Sequence, residues 1–185
     1  MNDADASAVS PPSSLFPMPL GTVVAYAGNA DAATRGAFAT AGWLFCDGQA
    51  VSREVYRNLY VAIGDSHGQG DGSTTFNLPD YRGRFLRGVD SGANRDPDAQ
   101  NRSASGPGGQ SGDAVGSVQS DAFREHQHDV VEMIGDNNVD GVDSTVTHSD
   151  EHHNEPRKSG KTGGNETRPV NCYVHWLIVA GVPAT

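Results

Sequence analysis

Apolar positions along this chain come in short blocks broken by Gly, Pro, Asp and Asn, a pattern of strands and turns rather than of long helices. From Leu20 the run LGTVVAYAG is β-branched and aromatic, and it predicts a strand covered on both faces. An Ala/Gly-rich loop is expected from there to about Ala41. In GWLFCDGQAVS, two apolar runs flank Asp47-Gly48, the signal of a hairpin turn. Ser52 then suits a helix N-cap, and Glu54 falls in the first turn, where the helix dipole favours a carboxylate. Val55, Leu59 and Ile63 form one apolar stripe, and Gly64 ends the one helix this pattern predicts. Phe76 and Leu78 alternate as a strand stopped by Pro79, and Phe85-Leu86 predict another. Arg82, Arg84 and Arg87 interleave there, suited to meeting carbonyls and carboxylates where segments cross. The last apolar run, Val170 to Val179, is too rich for a strand with one exposed face. Within it Trp176 is expected as a core or intersubunit anchor and His175 as a packed core histidine.

Between these blocks the chain has little core-forming power. Residues 1–19 are small, polar and Pro-rich, either a flexible tail or a docking peptide anchored by Leu15, Phe16 and Met18. Residues 91–120 are rich in Gly, Ser, Asn and Asp, with almost no apolar periodicity; in an isolated monomer that composition predicts disorder. With 23 glycines and 36% hydrophobic residues in 185, a single loop-rich, mostly β domain is expected. The organisation divides into an N-terminal peptide (1–19), a core (20–90), a loop-rich contact region (91–165) and a closing core strand (166–185).

Charge and cysteine content narrow the function classes. A net charge of −10 opposes binding to nucleic acid, whose phosphates it would repel. No apolar run is long enough to insert in a membrane, and the N-terminus lacks the basic-then-apolar pattern of a signal peptide, so synthesis in the cytoplasm without one is expected. Cys46 and Cys172 are too few for a disulfide framework and sit in apolar runs, which predicts buried free thiols. The glycines of HGQGDG lack a following Gly-Lys-Ser/Thr and are expected to serve turns, not a phosphate.

Candidate chemistry gathers in the second half. In Glu125-His126-Gln127-His128 the two imidazoles fall on one side of an extended strand, about 7 Å apart. Two ligands cannot complete a metal shell, so other residues of this chain or other copies of it must finish the site. The plain alternative is a solvated strand. Asp136-x-Asn138-x-Asp140-Gly141 starts like a calcium loop, but Thr147 stands where the closing Glu belongs, so calcium is not expected. Between Glu125 and Pro156 lie eight further carboxylates and no Lys or Arg. His148, His152 and His153 form a second cluster there, followed at once by Arg157, Lys158 and Lys161. This sign reversal suggests a contact surface, with the cations presented to phosphate or carboxylate groups of a cell-surface glycan. A zinc hydrolase using His126, His128 and Glu125 or Asp129 is the enzymatic alternative, but no triad or carboxylate pair accompanies it, so no catalytic residue is assigned.

The words PLGTVVAYAG, AGWLFCDGQAVS, DGSTTFNLPDYRGRFLRG and GGNETRPVN, in this order and with a Tyr-containing helix, resemble the phage tail collar domain family of short tail fibres and tail-fibre tips. The likeness covers about 18–90, continues loosely through DAVGSVQSDAFREHQH and resumes at 163–180; the longer loop at 29–41 is the departure. The resemblance implies a tail-collar-like, mostly β fold with one short α-helix and long irregular loops, intertwined as a homotrimer. It implies that 91–120 wraps neighbouring chains, and that His126 and His128 of three chains gather one structural metal ion on the threefold axis. Six imidazoles suit octahedral iron better than tetrahedral zinc. The expected role is a receptor-binding tip on a virion tail or extracellular tail-like particle, held to a tail or baseplate protein by the N-terminal peptide. The alternative is a structural fitting that attaches other tail components.

Overall fold

The structure is a computed structural model that describes residues 18–122, 125 and 168–184. Two compact units divide the chain, Met1–Ser120 with Val170–Thr185, and Asp121–Pro169. Every named element lies in the first.

That unit is built around a three-stranded antiparallel sheet, β1 (Val23–Tyr26), β2 (Trp43–Phe45) and a last strand, β7 (His175–Val179), which lies between the other two. β7 pairs Ile178 with Val23 on one side and with Leu44 on the other. Alternation along the strand sends Leu177 and Ile178 to opposite faces, and both are buried, at 3% and 1% exposure. On the Ile178 face pack Leu44, Cys46, Leu59, Phe76 and Leu78, with Tyr56, Tyr60 and Trp176 around them. On the Leu177 face pack Phe45 and Phe38, with Val24, Tyr26 and Trp43. The expected closing strand is thus present and central, and Trp176 packs against the core.

Four local expectations are corrected. Residues 29–41 are not simply a loop: Ala32–Thr40 form helix α1, so the domain has two short helices. Asp31 caps α1, its carboxylate accepting the Thr34 N–H at 2.8 Å, and that bond lowers its pKa. The alanines favour helix, and Phe38 gives α1 an apolar anchor on the sheet. Second, Asp47-Gly48 turns the chain but makes no hairpin. β2 already pairs with β7, so β3 (Ala50–Ser52) pairs instead with β4 (Thr75–Asn77), the strand expected around Phe76. Gly48, at φ 78°, donates to the Pro79 carbonyl at 3.0 Å, and an added Cβ would lie 3.0 Å from that of Asp80. Third, α2 runs from Arg57 to Ile63, later than Ser52 suggested. The Ser52 hydroxyl accepts the Glu54 and Val55 N–H groups and forms a separate turn first; Gly64 ends the helix as expected. Fourth, Phe85-Leu86 and residues 170–174 join no strand; Cys172 is exposed, and so is His175, which meets the Phe45 ring edge at 5.6 Å. Cys46 is buried as expected, and burial raises its thiol pKa to about 12.

Residues 90–118 take their order from polar contacts within the chain. Asp90 accepts N–H groups from Asn94, Arg95 and Asp96 at 2.8 to 3.0 Å. Asp96, 6% exposed, is clamped by the Nε and an NH2 of Arg102, and this bonding lowers the Asp96 pKa and raises that of Arg102. Asp113 stands 3.7 Å from Arg102 and accepts the Asp90 N–H at 2.9 Å. The segment then docks on the 66–69 loop: Gln69 N–H donates to Pro107 O at 2.9 Å, and Gln110 N–H to Ser66 O at 3.0 Å. Gly116 passes so close that a Cβ would fall 2.1 Å from the Ser66 carbonyl oxygen. His67 is buried beside this contact, its ring centroid 6.0 Å from that of Tyr81 in an edge-to-face arrangement.

Two outcomes follow from this packing. Ile178→Ala should lower unfolding free energy by roughly 2–5 kcal/mol, measured by denaturant titration. Burial depresses the His67 pKa from 6.5 to about 4, so the unfolded chain binds the proton more readily. Stability from His67 is therefore complete above about pH 6.5 and is lost as pH falls toward about 4, by a total of about 3 kcal/mol. In His67→Gln this part of the acid dependence should disappear, seen as a flatter plot of melting temperature against pH.

Candidate assembly surface

The stretch after β4 leaves the core at a crowded point. Tyr81 N–H donates to the Cys46 carbonyl at 3.1 Å, and its ring lies edge-on to Trp176 at 6.4 Å. Burial raises the Tyr81 pKa to about 12. Asp80 bridges to Asp47 across the backbone and is gripped by Arg82, Nε to Oδ1 at 2.8 Å and Nη2 to Oδ2 at 2.7 Å. That bidentate bond is the main reason its pKa is lowered. The arginine-to-carboxylate role expected at a crossing is therefore met by Arg82, and by Arg87, 3.5 Å from Asp96.

Beyond Arg82 the chain turns at Gly83, φ 67°, and runs out with Phe85 67% and Leu86 45% exposed. The segment that leads into β7 is similar: Val170, Tyr173 and Val174 are all exposed. Arg82 and Val174 line one cleft of about 120 Å³, with Arg35, Phe45, Cys46, Asp47, His175 and Trp176. Arg82, just ahead of the first of these stretches, and Val174, in the second, thus line the same cleft. Of the nine large hydrophobic residues exposed among the described residues, five fall on these two stretches. The strand patterning of Phe85-Leu86 and of 170–174 pointed to burial, whereas among the described residues Phe85, Leu86, Val170, Tyr173 and Val174 are exposed.

Most of the expected site residues lie outside the described residues: His126 and His128, His148, His152 and His153, Arg157, Lys158 and Lys161, Asp129, and Leu15 and Phe16. Met18 is described and 38% exposed, and Glu125 is exposed. Among the described residues no group of three or more His, Cys, Asp or Glu could hold a metal ion. No described helix is long and apolar enough to cross a membrane. The sequence reading missed Arg35, whose guanidinium lies 4.3 Å over the Phe45 ring and pairs with Asp47 at 2.8 Å. Asp31, a good cap ahead of the alanines at 32, 33, 37 and 39, was the available signal for the helix that carries it.

Residues 21–86 match the phage tail collar domain, so the resemblance is borne out over that stretch, while the words expected at 163–180 lie outside the match. Over 141 residues the chain is 36% identical to Protein RhiB of Rhizobium leguminosarum bv. viciae. That match takes in 74% of this chain and 63% of RhiB, so the chain spans less than two thirds of that relative. The collar match stops before β7, yet β7 supplies the middle strand of the sheet.

Because Phe85 and Tyr173 are exposed, the double change Phe85→Ser with Tyr173→Ser should shift unfolding free energy of the isolated chain by about 0.5 kcal/mol or less per site, measured by urea titration at low protein concentration.

Proposed function

We propose that this chain is a tail-fibre-type tip protein that works as a homotrimer on a virion tail or tail-like particle and contacts a host cell-surface glycan. The observation that carries the reading is the collar domain together with the two exposed apolar stretches beside it. An exposed, extended, apolar stretch is stabilised when a neighbouring copy covers it. In this reading the Phe85-Leu86 and 170–174 stretches pack against other copies. The acidic, His-rich stretch and the cations Arg157, Lys158 and Lys161 face the receptor, and Leu15, Phe16 and Met18 dock on a tail or baseplate protein.

The same reading gives His126 and His128 a structural role. Two neutral imidazoles from each of three chains make six nitrogen donors, a set that suits octahedral iron, with zinc the alternative. An ion closed in this way has no free position for a substrate water, so the protein is not an enzyme in this account.

The test is mass and metal content together. Light scattering on the purified chain should give three copies, and elemental analysis one ion per three chains. His126→Ala with His128→Ala, or a chelator, should lower trimer stability. One ion per chain on a monomer would instead favour the hydrolase, and a metal-free monomer would overturn the reading. Replacing Arg157, Lys158 and Lys161 together by Ala should reduce adsorption to cells without changing the melting temperature. A structural fitting would show no adsorption in any form.

A further inference from the structure

Helix α1, inside the matched collar stretch, borders a groove. Arg35, Gly36 and Ala39 of α1 form one wall; Gln49, Val51 and Tyr56 form the other; Trp43, Leu44 and Phe45 of β2 lie between them. The volume is about 320 Å³, at the lower end of the range for small-molecule sites. Arg35 and Phe45 also line the 120 Å³ cleft that holds Asp47, Arg82 and His175, so the two depressions share a rim.

The chemistry of this groove selects a ligand class. Trp43 and Tyr56 are half-buried, each keeping part of its ring open to solvent. Aromatic rings of this kind give a flat apolar surface at little entropic cost. Arg35 donates Nε to the Ala30 carbonyl and Nη1 to Asp47, which leaves donors of its guanidinium beyond those two bonds. Asp47 already compensates its charge at 2.8 Å, so an anion gains less there than at an unpaired cation. Gln49, exposed on the opposite wall, adds an amide with both donor and acceptor. Aromatic faces beside a charge-compensated set of donors and acceptors match the alternating apolar and hydroxyl faces of a neutral sugar ring. An extended peptide fits less well: β2 has only three residues, and the Phe45 carbonyl already accepts the Asp47 N–H at 3.0 Å.

We infer that the groove between α1 and β3, formed by Arg35, Trp43, Gln49 and Tyr56, binds a neutral hexose unit of a saccharide. This deepens the host-surface reading and rests on it, but it places recognition in the collar domain, apart from the basic cluster at 157–161. Gly36 supplies a clean probe. It lies in α1, its added Cβ would meet nothing within 4 Å, and leucine favours helix over glycine. Gly36→Leu therefore adds an apolar side chain at the groove wall with no clash at its Cβ.

The experiment titrates the purified full chain with neutral and anionic oligosaccharides taken from a glycan array. It follows the fluorescence of Trp43 and Trp176, the only two tryptophans. A saturable change with a neutral hexose-bearing oligosaccharide is expected. Gly36→Leu should weaken it by at least about tenfold with an unchanged or raised melting temperature, and Gln49→Ala should weaken it less. The proposal is overturned if no neutral saccharide binds, if only anionic ones or peptides do, or if Gly36→Leu binds as wild type does. Adsorption to cells separates the two readings: wild-type and Gly36→Leu proteins adsorbing equally would overturn the groove and leave the host-surface reading standing.

Discussion

β1 and β2 do not bond to each other; both bond to β7, which arrives from the far end of the chain. Leu177 and Ile178 fill the two faces of the sheet from that one strand. Without β7, the strands on either side would expose both their apolar faces and an unpaired ladder edge, a combination that favours association with other chains. The matched collar stretch, residues 21–86, is for this reason incomplete by itself. Everything between Ser120 and Val170 is, in sequence, an insertion between two fixed ends of one unit.

Polar contacts organise the next layer. A segment with few apolar residues cannot be ordered by burial, yet residues 90–118 are ordered, because buried Asp96 and Arg102 satisfy one another. Asp90 and Asp113 supply the backbone acceptors around that pair. A buried pair of this kind contributes more to a defined conformation than to net stability, since both ions lose water to make it. The neighbouring contact over His67 works differently. Burial there keeps the imidazole neutral, so this junction between the collar core and the polar segment responds to acid.

The surface beside the cleft of Arg82 and Val174 is where the single chain ends and assembly begins in the proposed account. Apolar patterning at Phe85-Leu86 and 170–174 has no counterpart in burial among the described residues. In that account a covering copy reconciles the two. The groove formed by α1 lies on the other side of Arg35, so assembly and ligand recognition draw on adjacent but different side chains.

Local chemistry alone was enough for the elements whose signals are short-range: the strand at Val23, the turn at Gly48, the stop at Gly64, the strand at Phe76 and the buried Cys46. The collar identity was legible in the same way, from uncommon words in a particular order. Residues separated by more than a hundred positions were not legible locally. Asp47-Gly48 looked like a hairpin because nothing nearby reveals that β7 already occupies the flank of β2. The helix at 32–40 was hidden because alanines and glycine carry little apolar periodicity; beside the Asp31 cap, the packing of Phe38 with Phe45 and Leu177 anchors it. His175 and Cys172 lie in an apolar run, but Cys172 precedes β7 and His175 opens it, and both are exposed. Sequence determined which segments pair or turn; the tertiary structure decided with whom, because strand partnership depends on contacts that local propensity does not encode.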